Sequence, residues 1–157
     1  MEEQILQERI VRIEKSMLRG TRPRSIGYNA RIPTHGPRIA DAIIRVHTGS
    51  GVTGIGWSGL QQEQAQQLVG RTVGELFQLP DGSLEEGMII DLPLWDLVAR
   101  GMDLPLYRLL GARGSRQVEV YDGSIYIDDL EASDKEAIDI FHGEVASGQE
   151  HGYRNFK

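Results

Sequence analysis

Residues 19–38 read RGTRPRSIGYNARIPTHGPR and concentrate five arginines (Arg19, Arg22, Arg24, Arg31 and Arg38) with no acidic side chain, in a chain of net charge −6. A guanidinium presents a planar fork of donors that matches a carboxylate two bonds at a time. A cationic, Gly- and Pro-rich loop in an acidic protein therefore reads as a site for an anion, a carboxylic acid above all. The same residues also fit a solvated basic loop, or one that pairs with a partner subunit.

Two other patterns imitate chemistry. Gly49, Gly51 and Gly54 fit G-x-G-x-x-G, as do Gly54, Gly56 and Gly59. A dinucleotide site needs a strand before this pattern, a helix opening within it and an acid further on. The first match runs on into an apolar strand, so its glycines belong to a hairpin. The second precedes a polar, Gln-rich helix unlike a buried crossover. Asp122, Ser124, Tyr126 and Asp128 begin like a calcium loop, but Ile127 replaces the required glycine and Ser133 stands where the bidentate glutamate belongs. Asp128 and Asp129 precede a helix, where carboxylates commonly cap or favour the dipole. Structural roles are expected for all of these, and no metal site.

The elements that must position such residues follow from periodicity. Residues 8–18 alternate, with Val11, Ile13 and Met17 on one face and Arg12, Glu14 and Ser16 on the other. Residues 40–48 repeat the pattern: Ala40, Ala42, Ile44 and Val46 point one way, Asp41, Arg45 and His47 the other. Gly49-Ser50-Gly51 turns this strand back into residues 52–57. A helix is expected over 60–69, halted by Gly70. Thr72 with Glu75, and Ser83 with Glu86, match capping boxes at two helix starts, and Pro80 closes the first of these helices. The organising stretch is DLPLWDLVARGMDLPLYRLLG, residues 91–111, whose Leu94, Leu97, Val98 and Met102 recur at helical spacing. Pro93 predicts a break near Asp91, Pro105 a restart, and Gly111 an end. Beyond a polar joint at 112–116, a strand over 118–126, a helix over 134–146 and a second strand from Tyr153 form a β-α-β unit, the element of parallel sheets and barrels. One unit cannot close a barrel.

The totals exclude several classes. Net charge of −6 argues against a nucleic-acid surface. The absence of cysteine removes disulfides and thiolate chemistry together. No apolar run reaches membrane-span length, and MEEQILQERI lacks the plan of a signal peptide, so no membrane partner is expected and a cytoplasmic location is.

Four segments in register carry a family resemblance: the hairpin HTGSGVTGIGWS, LWDLVAR followed by PLYRLLG, the strand VEVYDGSIY, and the closing GYRNFK. Together they resemble the enolase superfamily in its mandelate racemase and muconate lactonizing branch. The resemblance implies an α+β cap over residues 1–113: a three-stranded antiparallel meander packed with a helical subdomain. Residues 114–157 would be the first strand, helix and second strand of a truncated β/α barrel. It implies that loops of the cap fold over the barrel mouth and select an acid substrate, with Arg22, Arg24, Tyr28, Asn29 and His35 from the first and Trp57 from the second. GYRNFK is similar to the strand that ends in the family's Lys-x-Lys motif. Lys157 would then be its first lysine, facing the substrate carboxylate and lowering the pKa of the second. The reaction implied is Mg2+-assisted abstraction of a proton next to a carboxylate, by a lyase or isomerase (dehydratase, racemase or cycloisomerase) that is a homo-oligomer in the intact family. The family's magnesium-binding acids lie on later barrel strands, so no cofactor and no turnover are expected of the 157 residues alone. A non-catalytic module binding a carboxylate or a partner, and an inactive truncated remnant, are the alternatives.

Overall fold

A computed structural model describes residues 2–26, 36–115, 117–123 and 132–157, of which Glu2 and residues 23–26 are described by backbone alone. The chain divides into two compact units, Met1–Leu18 with Ala40–Gly114, and Arg19–Ile39 with Ser115–Lys157.

The first unit is built on a sheet. Strands β1 (Ile10–Ile26), β2 (Gly36–Thr48) and β3 (Thr53–Trp57) follow one another in the order β1-β2-β3, the antiparallel meander expected of the cap. The register Ile43↔Trp57, Arg45↔Ile55 and His47↔Thr53 puts these six side chains on the outer face. Ile44, Val46 and Thr48, of opposite parity, are buried. The turn closes with Thr48 N–H to Val52 O at 2.9 Å, and Gly51 supplies the φ of +89°.

β1 departs from simple alternation. Ile13 packs on the core, but Val11 and Met17 are about half exposed and Ile10 is the fully buried residue. The cause is a pairing with residues 70 and 71: Ile10 N–H donates to Arg71 O (2.9 Å) and Ile10 O accepts from Gly70 N–H (2.8 Å), which turns Ile10 inward.

Roofing the sheet is α3 (Asp91–Gly101), with Leu94, Leu97, Val98 and Ala99 buried on one face. Pro93 stands in its first turn, where the missing N–H would be unpaired in any case. The expected break precedes it as a 3₁₀ helix, Glu85–Ile90. Met102 ends α3 and packs against the core, and α4 (Leu106–Leu109) restarts behind Pro105 and is followed by Gly111 at φ +73°. α3 approaches β3 without intervening side chains. A Cβ on Gly54 would lie 2.1 Å from Pro93 O, and one on Gly56 2.7 Å from Leu92 Cβ. These glycines therefore serve close helix-sheet contact as well as the hairpin.

Smaller elements complete this unit. α1 (Glu2–Gln7), absent from the sequence reading, buries Ile5 against Gly101. α2 spans Gln62–Leu68 and ends at Gly70, φ +92°. The Thr72–Glu75 capping box forms, though it caps only a 3₁₀ turn, Val73–Glu75. The Ser83–Glu86 box does not. Ser83 Oγ is buried without a partner among the described residues, while the Glu86 carboxylate is taken by Arg71. Pro80 closes no helix and lies between the two-residue strands β4 (Phe77–Gln78) and β5 (Gly82–Ser83). Phe77 meets Trp95 edge-on at 4.8 Å, and Gly82 lies under the same indole.

In the second unit α5 spans Asp134–Glu150 and begins with a capping box of Ser133 and Glu136, a role that the sequence reading did not give Ser133. Among the described residues the two segments expected as strands around it meet in one parallel rung, Asp122↔Phe156, with Asp122 N–H to Asn155 O at 2.8 Å and Lys157 N–H to Asp122 O at 3.0 Å. Among the described residues no helix is long and apolar enough to cross a membrane. The described residues form no closed barrel.

Candidate functional site

In the first unit an open concavity lies at the end of the β2–β3 ladder. It is a depression of about 460 Å³ lined by Asp41, Ala42, Trp57, Ser58 and Gly59, within the range of about 300–1,000 Å³ common to small-molecule clefts. The register explains its make-up. Trp57 pairs with Ile43, and Asp41 lies one outward position beyond it on the same face. Trp57 is 60% exposed, a large area for an indole to leave in water. Ser58 fixes the rim: its Oγ donates to Ile89 O and accepts from Leu60 N–H at 3.0 Å. The β3 edge is held from α3, where Asp96 accepts from Ile55 N–H (2.9 Å) and from Arg100 Nε (2.7 Å).

Along the same outer face runs a polar network with one residue per strand. His47 Nε2 is 2.8 Å from Glu14 Oε2 and its Nδ1 is 2.9 Å from Thr53 Oγ1. The hydrogen bond from His47, with the nearby charges of Arg12, His47 and Arg45, holds the Glu14 carboxyl below its usual pKa. Arg45 reaches Ser16 Oγ at 3.3 Å. These groups satisfy one another, which reads as a tie across the sheet. A smaller depression of about 220 Å³ includes Gln64, Gln67 and Arg71. There Arg71 is committed to Glu86 and Glu75, and those bonds, that to Glu86 foremost, keep it charged.

The residues selected from sequence are distributed over both units. Trp57 belongs to the first. Arg22 and Lys157 belong to the second. The stretch read as an irregular loop is extended strand on both arms: Arg19, Arg22 and Arg24 lie on β1 and Arg38 on β2. The pairing strands simply continue past the positions where apolar alternation stops. Arg22 Nη1 donates to Gly36 O and Arg38 O, both at 3.3 Å, so its guanidinium spans the two arms. The side chain of Arg24 lies outside the described residues, as do Tyr28, Asn29 and His35 altogether. Lys157 Nζ stands 5.7 Å above the Tyr121 ring, a cation–π distance. Its strand is registered by the rung at Asp122 and by Asn155 Nδ2, 3.3 Å from Val120 O. Asp41 and Ser58, which line the depression, were not selected from the sequence. Reading the hairpin out to Trp57 would have set Asp41 beside it.

Among the described residues no three His, Asp or Glu side chains gather closely enough to hold a metal ion. The described residues therefore do not fit a magnesium site.

No family model matches the sequence, and no curated protein does. Solved structures do match. A galacturonate dehydratase of Geobacillus sp., complexed with Mg, is 30% identical over 96% of this chain and 41% of its own, with a TM-score of 0.77. A mandelate racemase/muconate lactonizing protein of Geobacillus sp. Y412MC10, complexed with magnesium/tartrate, matches at 30% identity over the same shares, with a TM-score of 0.78. An L-talarate/galactarate dehydratase of Salmonella typhimurium LT2 shares the fold at 20% identity, over 96% of this chain and 44% of its own, with a TM-score of 0.59. The chain spans less than half the length of each of these relatives.

Proposed function

Since this chain has the fold and the sequence relationship of the mandelate racemase and muconate lactonizing branch of the enolase superfamily, we propose that it is the cap and barrel opening of an enzyme acting on carboxylic sugar acids. Residues 1–113 are the cap in this reading, and residues 114–157 the first strand, helix and second strand of the barrel. The observation that carries it is the 30% identity to a galacturonate dehydratase, maintained over 96% of this chain.

The reaction we assign is abstraction of the proton next to the carboxylate, leading to dehydration, racemisation or cycloisomerisation, with dehydration of a sugar acid first among them. Arg22, Arg24, Tyr28, Asn29 and His35 close over the acid and Trp57 lines an apolar side. Lys157 offers its ammonium to the substrate carboxylate, where a fixed positive charge favours the negative charge that develops on proton loss. The described residues do not fit magnesium, so no step of this chain is routed through the metal. The 157 residues by themselves turn over nothing in this reading, and the working protein is a homo-oligomer in the cytoplasm.

The test is a chimera in which this chain replaces the matching segment of the Geobacillus galacturonate dehydratase. Folded chimera that dehydrates a hexuronate, beside a free chain that exchanges no α-proton, is the expected result. A folded chimera without activity on any sugar acid, or metal-dependent α-proton exchange by the free chain, overturns the reading.

A further inference from the structure

We infer that Asp41 is a specificity determinant: with Trp57 it makes the depression beside Ser58 a subsite for the neutral, hydroxylated end of a monocarboxylic sugar acid, and one that disfavours a second carboxylate. This rests on the sugar-acid reading and goes beyond it, because that reading leaves uronate and aldarate substrates equivalent.

Three observations converge. The hollow pairs an exposed indole face with a single ionisable side chain, Asp41, among its five lining residues. An aromatic face with electron density above it attracts the polarised C–H face of a pyranose or an extended polyol. Asp41 has no hydrogen-bond or ion-pair partner among the described residues, unlike Glu14 and Asp96 of the same unit, so its two oxygens remain acceptors for hydroxyl groups. The Lys15 ammonium is held on Leu60 O at 2.8 Å beside this rim and is not among the lining residues. A hydroxyl donates to a carboxylate, and a second carboxylate only repels it. In an open, water-lined hollow this repulsion is worth about three- to tenfold in affinity, and added salt weakens it.

The test is titration of the purified 157-residue chain with D-galacturonate and with galactarate at low ionic strength, followed by calorimetry and by Trp57 fluorescence, with Trp57→Phe as the blank for Trp95. Galacturonate is expected to bind about three- to tenfold more tightly than galactarate. Asp41→Asn should abolish that preference by strengthening galactarate binding, and 0.5 M salt should reduce it. Equal effects of Asp41→Asn on both acids, an unchanged ratio, or no saturable binding that perturbs Trp57 each overturn the inference. The chimera's activity decides the sugar-acid reading separately.

Discussion

Gly54 and Pro93 meet backbone to backbone: a methyl group on the glycine would lie 2.1 Å from the proline carbonyl oxygen and 2.6 Å from Leu97 Cβ. No side-chain rotation relieves a contact with a carbonyl. Gly54→Ala must push α3 away from β3 and open the layer that holds Leu94, Leu97 and Val98. A loss of about 3 kcal/mol is expected, at the upper end of overpacking costs. Gly51→Ala is the comparison: it has open space but a φ of +89°, so only about 1 kcal/mol of strain is expected. Urea midpoints of the two variants measure the difference.

The tie across the outer face gives an acid dependence. Glu14 has its folded pKa lowered, first by the His47 hydrogen bond. A group of this kind contributes stability above its unfolded pKa and loses it as pH falls through the folded value. Melting temperatures taken between about pH 5 and pH 3 should therefore fall more steeply for the natural chain than for Glu14→Gln. Parallel curves would show that the tie contributes nothing.

At the start of α5, Ser133 Oγ and Ser133 N–H both meet the Glu136 carboxylate, at 2.7 and 2.9 Å. Ser133→Ala should cost about 1 kcal/mol of helix stability. Amide exchange of residues 134–138 should speed up severalfold while that of α3 stays unchanged. The lowered pKa of Glu136, caused by the Ser133 hydrogen bonds, makes the same turn fray as pH falls through the carboxylate range.

Asp122, Gly148 and Phe156 form a tight triangle under the parallel rung. A Cβ on Gly148 would lie 2.6 Å from both Asp122 Oδ2 and Phe156 Cε1. Gly148→Ala should part α5 from the rung and free the Lys157 N–H, now bonded to Asp122 O. Faster exchange of that amide, with an unchanged Gly54 region, is the expected signature.

What was legible in the sequence was whatever one segment encodes in its own period. Alternation gave β2 and its buried Ile44 and Val46, helical spacing gave α3, and Pro93, Pro105 and Gly111 marked its limits. What was missed depends on distant partners. Ile10 is buried because Gly70 and Arg71 pair with it, 60 positions away along the chain. Ser83 failed as a cap because Glu86 found Arg71. The reach of β1 and β2 into the arginine-rich stretch reflects continued pairing, which needs no apolar pattern. Asp41 escaped notice because its significance lies in being beside Trp57, a cross-strand relation that composition alone does not carry.

The glycines under α3 have one more effect. With no methyl or longer group between the two backbones, there is no compliant layer to absorb a small change of helix tilt. Any such change passes directly along β3 to its last residue, Trp57. Substitutions on the solvent side of α3 would thus be able to shift the exposed indole of Trp57 without touching it.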